Sequence, residues 1–236
     1  MRLALIGYGA MGKLLENLAG TAGDEIGLKV ASRDASLDVA QLAVSLRGHD
    51  AAIDFSVAPA VLRNIEACAR AGVPLVEGTT GWQEKVAEAR RLVEDNKAAL
   101  VYGANFSIGV NVFYRIVSQA ARLMASLDQY QAFMEEEHHA RKRDAPSGTA
   151  LKLKELMSEH VKTEIPITSV RAGHIPGTHR VGFDSAADQI MLTHMARSRE
   201  GFAAGALLAA RWITGRQGVY EFSEVLTEVM TVKSEK

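Results

Sequence analysis

The sequence predicts an α/β protein with one parallel-sheet domain and a second α+β domain, whose sheet is open and either mixed or antiparallel. Two patterns along the 236 residues support this prediction. Between residues 3 and 102, short apolar runs alternate with segments whose apolar residues recur every three or four positions, as buried parallel strands and amphipathic helices do. Beyond residue 105, polar and apolar residues alternate within the predicted strands, which is typical of a sheet with one exposed face.

The first pattern predicts a doubly wound sheet, because parallel strands joined by helices pack in that way. Its predicted strands are 3–6, 28–31, 51–55, 74–76 and 99–102, with helices at 12–19, 59–71 and 83–96. Beyond them, a helix at 110–124 precedes strands at 131–136, 168–172, 179–183 and 189–193. The segment 202–213 is too apolar to stand alone, so we expect it to pack as a helix against the first domain. The first domain is therefore predicted to comprise residues 1–105 and 201–236, and the second to comprise 106–200.

Composition excludes several classes of partner. The 27 Lys and Arg residues nearly balance the 28 Asp and Glu residues, so no overall field would attract nucleic acid or an anionic membrane. No segment offers the run of about 18 apolar residues that a membrane helix needs. The single cysteine, Cys68, fits a buried position in a reducing compartment. We expect a soluble, cytoplasmic protein with a small-molecule partner.

Three glycines follow the first predicted strand and open the first predicted helix, at Gly7, Gly9 and Gly12. In this setting the first permits a tight turn, the second lets the backbone approach a pyrophosphate, and the third allows close helix packing. The phosphates would lie at the helix N-terminus, where free N–H groups and the helix dipole favour negative charge. The sequence therefore predicts a Rossmann-type dinucleotide site formed by Gly7, Tyr8, Gly9, Ala10, Met11 and Gly12.

The end of the second predicted strand bears on which dinucleotide binds. An acidic residue usually lies here and binds the adenosine ribose, but this strand ends in Ala31, Ser32 and Arg33. Because a guanidinium can pair with a 2′-phosphate, Arg33 favours NADPH over NADH. Asp34 could still support NADH binding, and a solvated loop charge is the alternative explanation of Arg33.

Two later loops follow the fourth and fifth predicted strands, at the edge of the sheet where ligands bind in doubly wound folds. Their small and hydroxyl residues could contact the nicotinamide and its ribose, although turn chemistry alone would also explain the glycines. The cofactor contacts predicted in these loops are Gly78, Thr79, Thr80, Gly103, Ala104, Asn105 and Phe106.

The segment 135–149, EEEHHARKRDAPSGT, has the densest polar chemistry of the chain, and three explanations compete for it. Its histidines and carboxylates could bind a metal, but no third histidine or cysteine follows at a regular ligand spacing, so no metal is expected. A solvated charged loop is the second explanation. The third is a site for an anionic substrate, because Ser147 and Gly148 mark the start of a helix whose free N–H groups could bind a carboxylate.

The neighbouring side chains suit an anionic substrate. The Thr149 hydroxyl adds a hydrogen-bond donor, while His139 and Lys142 supply positive charge. His138 has an ordinary pKa that suits proton transfer near neutral pH. A small dicarboxylate would satisfy all of these groups.

The stretch 137–150, EHHARKRDAPSGTA, resembles the signature of the dihydrodipicolinate reductase family, E-x-H-H-x-x-K-x-D-A-P-S-G-T-A, with Glu136 at its first glutamate. Supporting stretches follow in family order at 7–12, 53–56, 78–81, 104–111 and 171–173. The resemblance implies NAD(P)H-dependent reduction of 4-hydroxy-tetrahydrodipicolinate, with loss of water, to tetrahydrodipicolinate in lysine and diaminopimelate biosynthesis.

Position by position, the resemblance implies that His138 and Lys142 are catalytic proton-transfer residues. The resemblance and the predicted helix start together imply four substrate contacts: His139, Ser147, Gly148 and Thr149. It also implies a dinucleotide-binding first domain and a substrate-binding second domain, through whose sheet family members form homotetramers. Ser32 stands where many relatives have an acidic residue, and the chain is short for the family, so we expect trimming in the second domain.

The sequence allows two alternative functions. One is another amino-acid-pathway dehydrogenase, such as an aspartate or homoserine dehydrogenase, and the segment 137–149 argues against it. The other is a catalytically silent nucleotide-binding regulator. The presence of both His138 and Lys142 argues against that alternative.

Overall fold

The computed structural model describes residues 1–34 and 36–234, with side chains described up to residue 231. The chain divides into two compact units, Met1–Ile108 with Glu200–Lys236 and Gly109–Arg199. These bounds fall close to the predicted breaks after residues 105 and 200, and the last two residues of the predicted 201–236 segment lie outside the described part. Over the described ranges, none of the helices combines the length and apolar character that crossing a membrane requires.

The strands, in chain order, are β1 Arg2–Ile6, β2 Glu25–Val30, β3 Ala51–Asp54, β4 Leu75–Glu77, β5 Ala99–Tyr102, β6 Gln131–His138, β7 Ile167–Arg171, β8 Thr178–Asp184, β9 Gln189–Met195 and β10 Gly218–Glu221. The α-helices are α1 Ala10–Thr21, α2 Val39–Leu46, α3 Val61–Ala71, α4 Val86–Asp95, α5 Ile108–Met124, α6 Gly148–Ser158, α7 Glu200–Ile213 and α8 Phe222–Ser234. Short 3-10 turns lie at Ser32–Asp34, Ala58–Ala60 and Gln83–Lys85.

The first unit contains a sheet of six parallel strands in the order β10-β5-β4-β3-β1-β2. Helices cover both of its faces: one apolar cluster joins it to α1, α7 and α8, and another joins it to α2, α3 and α4. The predicted Rossmann-type α/β class is therefore confirmed. The order of the strands reverses between β1 and β3, so the loops after these strands flank the position where such sheets bind ligands.

Three elements of this unit were not predicted: α2, β10 and α8. β10 is a short edge strand that pairs only with β5, and its residues are half-buried or exposed, so it lacks the apolar run of a central strand. β2 begins at Glu25, three residues before its predicted start at 28. It is the opposite edge strand, and its exposed and half-buried residues alternate, so only its last part is strongly apolar.

The second unit contains a mixed sheet in the order β7-β6-β8-β9, with β6 parallel to β7 and antiparallel to β8. The sequence left open whether this sheet is mixed or antiparallel, and the parallel β6 and β7 pair decides for mixed. Helices α5 and α6 cover one face of it. The buried residues that join these helices to the sheet include Phe113, Val117, Met134, Leu153, Met157 and Val181.

Helix α7 packs against the six-stranded sheet, as the apolar composition of 202–213 predicts, and Gly205 brings it close to the backbone of the loop after β5. A Cβ on Gly205 would lie 1.8 Å from the carbonyl oxygen of Phe106. Gly205→Ala is therefore expected to lower the free energy of unfolding by about 2 kcal/mol, because a methyl group would overlap a backbone atom in a packed core.

Urea unfolding followed by circular dichroism measures this effect, and Gly20→Ala in α1 is the control. A Cβ on Gly20 meets nothing within 4 Å, so that substitution should raise the free energy of unfolding by about 0.5–1 kcal/mol. Equal effects of the two substitutions would contradict the close approach at Gly205.

Candidate functional site

The glycine loop between β1 and α1 depends on contacts that only glycine permits. Gly7 has φ +86°, and a Cβ there would lie 2.3 Å from the carbonyl oxygen of Phe55, just after β3. A Cβ on Gly12 would lie 2.6 Å from the carbonyl oxygen of Gly7, so Gly12 lets α1 pack closely against the loop. Ala10 and Met11 form the first turn of α1. The geometry at Gly7 and Gly12 suits the tight turn and close packing expected of a dinucleotide-binding loop.

Gly9, the middle glycine, faces open space at the N-terminus of α1. Among the described residues, a Cβ on Gly9 would meet no atom within 4 Å, and no side chain caps the helix. Free N–H groups and the missing side chain leave room for a pyrophosphate, so the residues present fit a dinucleotide. Beside this glycine, the Tyr8 hydroxyl donates to Glu16, which also pairs with Lys29.

The turn after β2 presents Arg33 to solvent. The Arg33 side chain is 84% exposed, and its ion pair with Asp34 is long, at 3.7 Å from Nε to Oδ2. Asp34 turns back towards its own loop, where Oδ2 accepts a hydrogen bond from the Ala31 N–H at 2.9 Å. The carboxylate that could support NADH is thus bound to backbone, while the guanidinium is accessible.

The loop after β4 turns its first threonine inwards. The Thr79 N–H donates to the Glu77 carboxylate at 2.7 Å, and the Thr79 hydroxyl accepts from the Ser56 N–H at 3.1 Å. A Cβ on Gly78 would overlap an aromatic ring at 2.3 Å, which explains this glycine by packing. Thr80 is exposed. Of the contacts predicted here, the Thr80 side chain is therefore the accessible one.

The loop after β5 begins at Gly103 and divides into exposed and buried parts. Ala104 is exposed, and the Asn105 Oδ1 accepts a hydrogen bond within the loop at 2.8 Å. Phe106 is 1% exposed, and its ring centroid lies 4.6 Å from that of Phe222 in the core. A cofactor contact at Phe106 is consequently limited to its backbone.

In the second unit, the alternation along β6 places Glu136 and His138 on the face of the sheet that α5 and α6 cover. Successive side chains of a strand point to opposite faces, and these two continue the buried series of β6. Strand pairing brings Arg171 of β7 opposite His138, and His179 of β8 opposite Glu136. Four polar side chains thus meet on an otherwise apolar face.

Glu136 is fully buried and contacts the Arg171 guanidinium and the His138 imidazole. Its Oε1 accepts from the Arg171 Nη2 at 2.5 Å, and its Oε2 contacts the His138 Nδ1. Burial would raise the pKa of Glu136, but the hydrogen bonds and charges of its neighbours, those of Arg171 foremost, together outweigh burial, so this pKa lies below its ordinary value. Burial lowers the pKa of His138, and the Glu136 carboxylate opposes part of that shift. An ionised carboxylate therefore lies beside an imidazole that can exchange a proton.

The second nitrogen of His138 lies against Gly177. This glycine has φ +144°, and a Cβ on it would lie 3.1 Å from the His138 Nε2. A side chain at 177 would therefore cover Nε2, the nitrogen that Glu136 does not contact. Glycine thus serves here in two ways, since it tolerates the positive φ and adds no side chain against Nε2 of this largely buried imidazole.

His179 connects this cluster to the start of α6. Its Nε2 lies 3.0 Å from the Ser147 Oγ, which also accepts from the Ala150 N–H at 3.2 Å and so caps the helix. Burial lowers the pKa of His179 to about 4, so its ring is neutral near neutral pH. The Ser147 hydroxyl is thus engaged by the helix cap and by His179.

The first turn of α6 is open on one side. A Cβ on Gly148 would meet nothing within 4 Å among the described residues, and Thr149, which follows it in this turn, is half-buried. The Asp144 carboxylate lies near this helix start, and the Gly148 N–H contributes to the lowering of its pKa. A carboxylate of the chain itself thus lies near the place where the sequence predicts a substrate carboxylate.

The Lys142 ammonium lies beside the same carboxylate. Its Nζ is 2.8 and 2.9 Å from the two oxygens of Asp144, and this contact lowers the pKa of Asp144. His139 follows β6 and is half-buried, and its Nδ1 has no partner among the described residues. The structure thus brings His138, Lys142, Gly148 and Thr149 into one unit, on β6, the following loop and α6.

Glu136, His138 and His179 each offer one ligand atom, and these atoms lie within 4.8 Å of one another. The Arg171 guanidinium, which pairs with Glu136, opposes binding of a cation there. Hydrogen bonds already explain why the three side chains lie close together. That the protein uses no metal is a prediction from the sequence and stays one.

Sequence reasoning assigned no role to Glu136, Arg171 or His179. The spacing of Glu136 and His138 in EEEHH was the available signal, because residues two apart share a face of a strand. Arg171 and His179 reach the cluster through strand register, which the local sequence does not contain.

Sequence profiles of the dihydrodipicolinate reductase family match the chain in two parts, the N-terminus over residues 1–106 and the C-terminus over residues 109–226. A 4-hydroxy-tetrahydrodipicolinate reductase of Christiangramia forsetii is 36% identical, over 97% of this chain and 99% of that protein. Another, from Anaeromyxobacter dehalogenans, is 39% identical over 93% of this chain and 84% of that protein. The chain is therefore not short by comparison with the Christiangramia relative.

Solved structures share the fold. A dipicolinate-bound dihydrodipicolinate reductase from Paenisporosarcina sp. has a TM-score of 0.77 at 22% identity, with 94% of this chain and 97% of that chain covered. An amine dehydrogenase from Mycobacterium smegmatis has a TM-score of 0.63 at 11% identity, with 94% and 95% covered. The fold alone is thus common to several dehydrogenases, whereas the profiles and relatives are specific. On their strength, the chain belongs to the dihydrodipicolinate reductase family and is an oxidoreductase.

Proposed function

We propose that this chain reduces 4-hydroxy-tetrahydrodipicolinate, with loss of water, to tetrahydrodipicolinate in lysine and diaminopimelate biosynthesis, using NAD(P)H. The observation that carries the proposal is the His138 imidazole, which is paired with the buried Glu136 carboxylate in the same unit as Lys142 and the open start of α6. The names of the relatives support the same reaction.

The cofactor would bind along the carboxyl edge of the six-stranded sheet. The glycine loop at 7–12 would hold the pyrophosphate at the N-terminus of α1, and the loops at 78–80 and 103–106 would contact the nicotinamide side. The bound nicotinamide would supply a hydride. NADPH is the preferred form, because the exposed Arg33 guanidinium can pair with a 2′-phosphate while Asp34 is bound to backbone.

The substrate would bind in the second unit as a dicarboxylate. A carboxylate at the start of α6 would accept from the Gly148 N–H and the Thr149 hydroxyl and would displace Asp144 from Lys142. His139 would provide a further contact. Ser147 would act through the helix cap that it forms. The dipicolinate in the Paenisporosarcina structure supports a ligand with two carboxylates.

Proton transfer would be shared by His138 and Lys142. Hydride addition to a conjugated ring carbon builds electron density on the ring, and a nearby donor must discharge it with a proton. Glu136 would orient His138 through Nδ1, which directs Nε2 past Gly177. The Lys142 ammonium, once released from Asp144, would be the second donor.

Family membership favours this reaction over a dehydrogenase of another pathway, and the presence of His138 and Lys142 favours an enzyme over a silent regulator. We propose that the enzyme is cytoplasmic and that it forms a homotetramer through the sheet of the second unit. Exposed apolar side chains on the strands of that sheet, Val170 and Met195, support an interface between copies.

Purified protein is expected to oxidise NADPH when supplied with freshly made hydroxy-tetrahydrodipicolinate. His138→Gln and Lys142→Ala should each lower kcat at least about 100-fold, because both residues would transfer protons, with little change in NADPH affinity. Cofactor oxidation and a fluorescence titration of NADPH measure the two effects. Lys152→Ala, at an exposed position on α6, is the control. No oxidation by the unaltered protein would refute the reaction.

Arg33→Ala is expected to raise the KM for NADPH about tenfold, because a charge-assisted contact to the 2′-phosphate would be lost. The KM for NADH should stay unchanged. Side-by-side kinetics with the two cofactors test this, with Arg91→Ala on an exposed position of α4 as the control. A parallel rise in both KM values would refute recognition of the 2′-phosphate.

Glu136→Gln is expected to shift the limb of the pH–rate profile that His138 produces to lower pH by about one pH unit. The direction follows because the Glu136 charge and hydrogen bond raise the pKa of His138 against the effect of burial, and glutamine removes that charge. The profile of kcat/KM is the measurement. A lower rate with an unmoved limb would mean that Glu136 has only a structural role.

A further inference from the structure

The carboxyl groups of Asp54 and Glu77 lie together at the carboxyl ends of β3 and β4. The two residues are register partners on adjacent parallel strands, and both are 0% exposed. Two ionised carboxylates side by side in such a place would repel each other strongly and lack solvation. The contacts of each group show how the pair avoids this.

Asp54 is surrounded by donors. Its Oδ1 accepts from the Ser56 N–H at 2.7 Å, and its Oδ2 accepts from the Asn64 Nδ2 at 2.6 Å. The Asn64 Oδ1 in turn accepts from the Arg63 guanidinium at 3.0 Å. Burial raises the pKa of Asp54, and these hydrogen bonds oppose that shift, so they favour a charge on Asp54 over a charge on Glu77. Arg63 lies behind the Asn64 amide as the nearby cation.

Glu77 has a donor for only one of its oxygens. Its Oε1 accepts from the Thr79 N–H at 2.7 Å, whereas its Oε2 is buried without a donor among the described residues. Because the two residues are register partners on adjacent parallel strands, their side chains lie on the same face of the sheet, and this unpaired oxygen is next to the Asp54 carboxylate. A carboxyl oxygen can bond to a carboxylate only if it carries a proton.

Besides Arg63, the described titratable groups near the pair include the Cys68 thiol and the Tyr102 phenol. Burial raises the pKa of the Cys68 thiol on α3 and of the Tyr102 phenol, which is opposite Glu77 on β5. Burial also raises the pKa of Glu77 well above its ordinary value, and the Asp54 charge raises it further. Donors reach both oxygens of Asp54 but only one oxygen of Glu77, so Glu77 is the group of the pair that holds a proton, and the pair then has one negative charge.

We propose that Glu77 donates its proton in a hydrogen bond to ionised Asp54, and that this carboxyl pair positions the two loops that would hold the nicotinamide. Each carboxyl group accepts the N–H two residues further on, Ser56 in one loop and Thr79 in the other. The Ser56 N–H also reaches the Thr79 hydroxyl at 3.1 Å, which ties the loops together. This inference rests on the proposed cofactor site, and Glu77 acts in it as a positioning residue.

Two variants at position 77 separate the proton from the side-chain volume. In Glu77→Gln, the amide oxygen can accept from Thr79 and the amide nitrogen can donate to Asp54, as protonated glutamate does. Glu77→Met keeps a similar length and loses both bonds. At neutral pH we expect Glu77→Gln to bind NADPH as tightly as the unaltered protein and Glu77→Met to bind it about tenfold more weakly.

The kinetic effect should fall on the KM for NADPH and leave kcat nearly unchanged, because the pair lies beneath the cofactor loops. Fluorescence titration of NADPH and steady-state kinetics measure both quantities. An unchanged dissociation constant in Glu77→Met would overturn the positioning role. If Glu77→Gln bound NADPH as weakly as Glu77→Met does, the proposed proton between Glu77 and Asp54 would be refuted, because the site would then need an ionised carboxylate at position 77.

The pH dependence provides a second, independent measurement. A pKa that is raised in the folded state contributes stability at low pH, and this stability is lost as pH rises through the raised value. The Tm of the unaltered protein should therefore fall below that of Glu77→Gln at alkaline pH, and its NADPH affinity should fall with it.

If the Tm of the unaltered protein and that of Glu77→Gln changed with pH in parallel, the proposed proton on Glu77 would be refuted. This measurement needs no cofactor. If the unaltered protein bound neither NADPH nor NADH, the proposed function would fail instead, and the Tm comparison would still decide the state of Glu77. The two failures are thus distinguishable.

Discussion

Asp54, Glu77 and Glu136 are carboxyl groups with no solvent exposure, and each needs a proton, a charge or a hydrogen bond from within its own unit. An unpaired buried carboxylate costs several kcal/mol, which is comparable to the whole stability of a domain. The residues around these groups are therefore constrained more strictly than ordinary core residues. In both units the constrained positions are at or near the ends of strands, where the candidate functional loops begin.

The two units meet this constraint by different chemistry. In the first, a proton on Glu77 and the donors around Asp54 leave a single charge, which requires no cation in direct contact. In the second, the Arg171 guanidinium binds the Glu136 carboxylate directly at 2.5 Å, and Glu136 stays ionised. The difference suits the proposed roles. A neutralised pair can hold backbone loops in place, whereas an ionised carboxylate can stabilise the positive charge of a protonated imidazole.

The sequence predicted those parts of the molecule whose chemistry is local. The glycine loop was predictable because the turn and the helix start lie within six residues, and the segment 135–149 because its functional groups are neighbours in the chain. Groups joined by strand register were not predictable. Arg171 is 35 residues from Glu136 and Arg180 is 43 residues from Glu137, yet they form ion pairs across the sheet. Glu77 reads locally as the end of an apolar strand, and only its pairing with Asp54 shows why an acid is tolerated there.

The cluster around His138 also limits which group can titrate during turnover. The pKa of Glu136 lies below its ordinary value, and His179, with a pKa of about 4, stays neutral near neutral pH. His138 is the other imidazole of this cluster, and burial lowers its pKa while the Glu136 carboxylate opposes that shift. When it gains a proton, Glu136 stabilises the new charge and Lys142 opposes it. Pairing with Asp144 weakens the effect of the Lys142 charge on the pKa of His138. A substrate carboxylate that replaced Asp144 beside Lys142 would weaken it in the same way. It would also bring the substrate ring towards its proton donors, His138 and Lys142.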